Sequence, residues 1–99
     1  MRRKQASPTM QLDNDQVRIT RWDFDIDAET GWHTHEMDYI VVPLKDGVLT
    51  AESPEGNSTN SELKLGVCYA REAGVTHNII NSSGSSFSFV EIELKNRSK

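Results

Sequence analysis

Three histidines are the chain's whole supply of imidazole, and their spacing is suggestive. His33 and His35 flank one residue in Trp32-His33-Thr34-His35, and the third opens His77-Asn78-Ile79-Ile80-Asn81. Residues i and i+2 of a β-strand project from the same face, so His33 and His35 can aim two rings at one point. His77 on a neighbouring strand would complete three nitrogen ligands, leaving coordination positions open for water or substrate. Imidazole serves Fe, Mn, Ni, Zn, Co and Cu, so the pattern calls for a divalent metal ion without choosing among them. The competing reading is a pocket that holds only water or a small ligand. Serine-nucleophile, P-loop and zinc-finger patterns are absent.

Ligands on strands need strands to carry them, and the chain reads as a succession of short β-type segments. Gln16 to Phe24 alternates and is rich in β-branched and aromatic residues; Glu29 to Thr34 carries the first histidine and runs on into His35. Tyr39 to Leu44 is strongly β-forming, with Pro43 marking an edge or a bulge. Asp46-Gly47 signals a turn into Val48 to Ser53, and Pro54-Glu55-Gly56-Asn57 closes a hairpin returning through Glu62 to Leu65. Val67 to Arg71, Thr76 to Ile80 and Phe87 to Leu94 follow, each bounded by glycine- or serine-containing turns. In the last strand Phe87, Phe89, Glu91 and Glu93 share one face. Eight short strands without a helical period predict an all-β sandwich or small barrel. Gly47, Gly66 and Gly74 are expected at positive φ. Asn81 is expected to end its strand by tying side chain to backbone.

Ninety-nine residues, 35% hydrophobic and 26% charged, make one soluble domain. We expect a flexible lead-in over residues 1–9, the domain over 10–95 and a flexible tail over 96–99. The longest apolar run, Tyr39 to Leu44, is too short to span a bilayer, and the basic start is not followed by the apolar segment of a signal peptide. Cys68 is the only cysteine, which excludes an intrachain disulfide, suits the cytoplasm and reads as a small buried hydrophobe. Net charge is −4, but six of the eleven basic residues lie at the two ends. From Gln5 to Leu94, five basic side chains face fifteen acidic ones, a body that repels a phosphate backbone and argues against nucleic-acid binding. Trp22 and Trp32 are expected in the core or at a subunit interface, with Trp32 facing away from the two neighbouring histidines.

From Gln16 to Leu94 the order of turns and histidines resembles the cupin superfamily, whose fold is a small jelly-roll β-barrel. The first cupin motif is Gly, five residues, His-x-His, three or four residues, Glu, six residues, Gly. Here it runs from Asp27 through His33 and His35 to Gly47. The second, Gly, five residues, Pro-x-Gly, two residues, His, three residues, Asn, keeps every spacing from Gly66 through Gly74 and His77 to Asn81. Asp27 replaces the first glycine, with Gly31 nearby, Glu72 replaces the proline, and one residue is added before Gly47. The family's metal-binding glutamate is missing: Tyr39 falls at or beside its position, with Asp38 a possible fourth ligand. The ligand type therefore resembles the three-histidine centres of thiol dioxygenases. Within cupins, Thr30-Gly31-Trp32-His33 and Asp38-Tyr39 through Val41-Val42-Pro43-Leu44 look closest to short bacterial single-domain proteins named for β-alanine degradation.

The resemblance implies a metal-binding cupin with His33, His35 and His77 as ligands, and a homodimer. We read it as a small-molecule enzyme, a dioxygenase or an isomerase/lyase acting on a small carboxylate or carbonyl compound. Tyr39, Tyr69 and Arg71 are the candidates for holding that substrate, Arg71 because an anion entering so acidic a body needs a guanidinium. The alternative is a non-catalytic module that binds or senses a small molecule. Neither reading involves nucleic acid or a membrane.

Overall fold

The computed structural model describes residues 2–95, and the tail expected over 96–99 lies outside the described residues. Alternation and turn chemistry produce nine strands among them: β1 (Ser7–Asp13), β2 (Val17–Phe24), β3 (His33–Thr34), β4 (Tyr39–Pro43), β5 (Gly47–Glu52), β6 (Ser58–Leu63), β7 (Tyr69–Arg71), β8 (Thr76–Asn81) and β9 (Phe87–Leu94). They form two antiparallel sheets, ordered β1-β2-β9-β4-β7 and β3-β8-β5-β6, which face each other as the small jelly-roll barrel expected. None of the described residues forms a helix long and apolar enough to cross a membrane.

The packing is divided lengthwise. At one end Phe24, Phe87 and Phe89 meet with ring centroids 5.6–6.5 Å apart and bury with Leu49, Leu63 and Val41. At the other end the sheets part around a cavity of about 90 Å³. Asn81, fully buried, stitches the closed end: its amide donates to the carbonyls of Asp25 and Ser85, and its Oδ1 accepts from the Ser83 N–H. This is the backbone-tying role read from sequence.

Several expectations are corrected. Among the described residues of the expected lead-in, 5–9 are part of the fold: Gln5 bridges Glu29, Ala6 is buried, and Ser7 to Thr9 begin β1. β1 lies at a sheet edge with both faces exposed, so backbone bonds to β2 hold it and no apolar face marks it in the sequence. Gly47 is not at positive φ. A Cβ there would stand 2.5 Å from both Phe87 Cδ1 and Ser83 Oγ, so this glycine permits a close approach instead. Gly66 and Gly74 do adopt positive φ, and so does Asp27, at φ 64°, keeping the backbone of the glycine it replaces. Cys68 is exposed. Pro43 ends β4 beyond the reach of β7, on the side where no ladder N–H is required.

The strand expected from Glu29 to His35 runs along β8 but breaks in the middle. Glu29 opposes Ile80 while His33 opposes His77, so the first segment advances four residues as β8 retreats three. The extra residue is a β-bulge around Gly31, whose φ is 90°. Gly31 N–H donates to the side chain of buried Asn78 instead of to the ladder.

Candidate metal centre

The bulge and the register of β3 against β8 place His33 directly across from His77, and alternation brings His35 to the same side. The Nε2 atoms converge: His35 Nε2 lies 3.1 Å from His33 Nε2 and 3.2 Å from His77 Nε2. Nitrogens bound at about 2.0–2.1 Å to one ion stand roughly 3.0–3.4 Å apart, so the spacing suits a shared cation. Tautomers agree. His33 Nδ1 is 2.8 Å from the Gly31 carbonyl, which can only accept, so Nδ1 carries the proton and Nε2 of the neutral ring presents a lone pair. Burial, reinforced by His33 and His77, lowers His35 to about 4; burial, with His33 and Arg71, lowers His77 to about 4. Both rings are therefore neutral near pH 7. Three imidazole Nε2 atoms this close make an arrangement a divalent ion would satisfy.

The other sheet supplies the surroundings. Tyr39 is buried and stacks on His35, centroids 3.8 Å apart and planes 19° from parallel. Burial first, then the Glu91 and Tyr69 charges, pushes its phenol up to about 12, so without metal it walls the pocket as a neutral group. Burial also raises Tyr69, and the Arg71 guanidinium sits 4.5 Å above its ring. Among the described residues Arg71 has no carboxylate within ion-pair distance, so its charge is available at the pocket mouth. Val41, Leu49, Ile79 and Phe89 supply apolar lining.

Asp38 lies apart from this cluster. It is exposed, and its Oδ1 accepts the Ala73 N–H at 2.8 Å, so it supports a turn and is not the fourth ligand envisaged. Trp32 is 55% exposed and faces outward, whereas Trp22 lines the pocket. Two pocket residues were missed from sequence, Glu91 and the indole N–H of Trp22. Glu91 Oε1 accepts from Trp22 Nε1 at 2.9 Å, and its Oε2 lies 3.3 Å from His35 Nδ1. Burial raises Glu91 to about 7 against the lowering effect of the Trp22 bond, with Glu93 adding to the rise. The signal was present: an acid following Phe87 and Phe89 on the inward face of an alternating strand. His35, Glu91 and Glu93 also cluster, but through the opposite ring nitrogen, and Arg18 stands 3.6 Å from Glu93. The Nε2 side is where a cation is wanted.

No protein-family model matches the chain. It is 52% identical over 93 residues to the β-alanine degradation protein BauB of Pseudomonas aeruginosa, covering 94% of this chain and 97% of that one. It is 53% identical to a cupin domain of Bordetella pertussis whose crystal structure superposes with a TM-score of 0.92, covering 97% of this chain and 99% of the other. The chain is a cupin. A cupin superfamily protein from Desulfitobacterium hafniense, 17% identical, has the same fold at a TM-score of 0.72, with 97% of this cupin and 83% of that chain covered. The cupin barrel puts both histidine motifs on the sheet β3-β8-β5-β6, and the Tyr39, Tyr69 and Arg71 side chains reach the same cavity from the sheet opposite.

Proposed function

We propose that this cupin is a metal-dependent enzyme of small-molecule chemistry, a dioxygenase or an isomerase/lyase acting on a small carboxylate or carbonyl compound. His33, His35 and His77 would hold one divalent ion. The observation that carries the reading is the convergence of three Nε2 atoms from buried or half-buried rings. A divalent ion there supplies Lewis acidity and, if it is iron, redox chemistry with O₂. Arg71, stacked on Tyr69, is placed to take a carboxylate by charge-assisted hydrogen bonds, and Tyr39 walls the cavity on the His35 side. Apolar side chains line part of the cavity, and its room of about 90 Å³ suits a small substrate. The name of the Pseudomonas relative supports this class, because β-alanine is itself a small carboxylate.

The test is elemental analysis of untagged protein beside His77→Ala, followed by oxygen-uptake and turnover assays on three- to five-carbon carboxylates. Near one metal per chain, lost in the variant, with turnover of such a compound, is the expected result. A fully loaded protein that turns nothing over but is thermally stabilised by a carboxylate would instead be the binding module. The same reading makes the protein cytoplasmic, in keeping with its lone cysteine, and homodimeric through the exposed sheet edges. A monomer in sedimentation at tens of micromolar would contradict the dimer.

A further inference from the structure

We propose that Glu91, anchored by Trp22, is a positioning residue that fixes the tautomer of His35 and so aims its Nε2 at the convergence point. This rests on the three-histidine reading of the site. Trp22 Nε1 can only donate, so Glu91 Oε1, at 2.9 Å, must accept. The remaining oxygen, Oε2, stands 3.3 Å from His35 Nδ1. An ionised carboxylate accepts on both sides, which puts the imidazole proton on Nδ1 and leaves the lone pair on Nε2. The Gly31 carbonyl does the same for His33. Two of the three rings thus have an acceptor beside their far nitrogen, as in the arrangement that orients a ligating histidine and raises its basicity.

The support is rigid as well as polar. Glu91 sits on β9, hydrogen-bonded between β2 and β4, where it opposes Thr20 on one side and Val41 on the other. Trp22 comes from β2 of the same sheet, while Tyr39 from β4 presses on the face of the His35 ring. Ring rotation and ring flip are therefore opposed by separate strands. Other roles for Glu91 fit less well. Its oxygen meets His35 at the nitrogen opposite the convergence point, so it is not the absent fourth ligand. Oε1 accepts from Trp22 and Oε2 faces His35 Nδ1, so the carboxylate is turned toward protein groups and away from the convergence point.

Glutamine separates the possibilities because it is isosteric yet cannot accept on both arms. With its oxygen toward Trp22, its amide donates to His35 Nδ1 and drives the proton to Nε2. Reversed, the amide opposes the indole N–H. Long-range ¹H–¹⁵N spectra of the metal-free protein at mildly alkaline pH should find His35 protonated on Nδ1 in the wild type and shifted to Nε2 in Glu91→Gln. Cobalt(II) affinity, followed by its absorption bands, should weaken about 10–100-fold in Glu91→Gln. Trp22→Phe keeps the carboxylate but removes its anchor, and should weaken cobalt binding less; it also serves should Glu91→Gln not fold. A wild-type His35 protonated on Nε2, or a folded Glu91→Gln with unchanged tautomer and cobalt affinity, would overturn the proposal. The tautomer is read without metal. A protein that binds no cobalt yet shows the tautomer shift therefore supports Glu91 as the orienting group and overturns only the metal reading.

Discussion

Replacing His77 with alanine should have little effect on the metal-free protein and a large one once metal is added. The ring is buried and held neutral, its Nε2 stands 3.2 Å from another imidazole nitrogen, and the space it vacates opens into an existing cavity. Truncation should therefore cost only about 1 kcal/mol in the metal-free state. A divalent ion at about 100 times its Kd should stabilise the wild type by about 2.7 kcal/mol. For a chain of this length that raises Tm by about 10–20 °C. With one of three nitrogens gone, His33 and His35 keep a pair 3.1 Å apart, a much weaker site, and less than a third of that rise should remain. Scanning calorimetry with and without zinc or cobalt measures both quantities, with elemental analysis giving the stoichiometry. Were His77→Ala to keep the full rise and one ion per chain, the convergence of the three rings would not be the metal site. A wild type with no rise in any of the candidate ions would refute the metal centre itself.

Three other outcomes follow from the same geometry. Gly47→Ala should destabilise by about 2–4 kcal/mol, because the new methyl would overlap Phe87 and Ser83, whose hydroxyl bonds the Val48 backbone; a denaturation midpoint within error of wild type would refute the close approach. In metal-free protein, His35 and His77, lowered from 6.5 to about 4, favour the fold above their unfolded values, so stability falls as pH drops from 6.5 towards 4. Glu91, raised from 4.5 to about 7, acts oppositely: its neutral form favours the fold, so stability falls as pH rises from 4.5 through 7. Two groups against one put the maximum near pH 6.5, which urea titrations across pH would check, and in Glu91→Gln the alkaline decline should shrink. Arg71→Ala should weaken small carboxylates about 10–100-fold while one ion per chain is still bound, as calorimetric titration and elemental analysis would report.

What the sequence disclosed follows from how each residue is held. β9 was legible end to end, since Phe87 and Phe89 alternate into the core and turn residues bound the strand. The turn between β5 and β6 was legible through Pro54 to Asn57, because Gly56 at φ 93° has a chemical signature. The return strand, however, runs over Ser58–Leu63 and not Glu62 to Leu65, its polar, exposed start giving no strand pattern. β1 was not, since an edge strand exposed on both faces carries no pattern beyond its backbone bonds. Val67 and Cys68 looked like strand, yet the turn that opens at Gly66 leaves both exposed and β7 starts at Tyr69. The three histidines could be read because spacing on strands sets direction. Glu91 could not be placed as easily: its function depends on Trp22 and His35, which lie 69 and 56 positions earlier in the chain.

The bulge at Gly31 decides more than a local kink. Strand partners share a face, and neighbours along a strand take opposite ones. Had the register set by Glu29 and Ile80 continued without the extra residue, His33 would oppose Thr76 in place of His77. His33 and His35 would then point to solvent, and Thr34 would face inward beside a solitary His77. The site is thus a matter of parity. Substitutions between Thr30 and Trp32 adjust it by degrees, but deleting one residue there turns it inside out while leaving every ligand in the sequence. Among homologous chains, the length of this segment should therefore be a better guide to a working pocket than the identity of its residues.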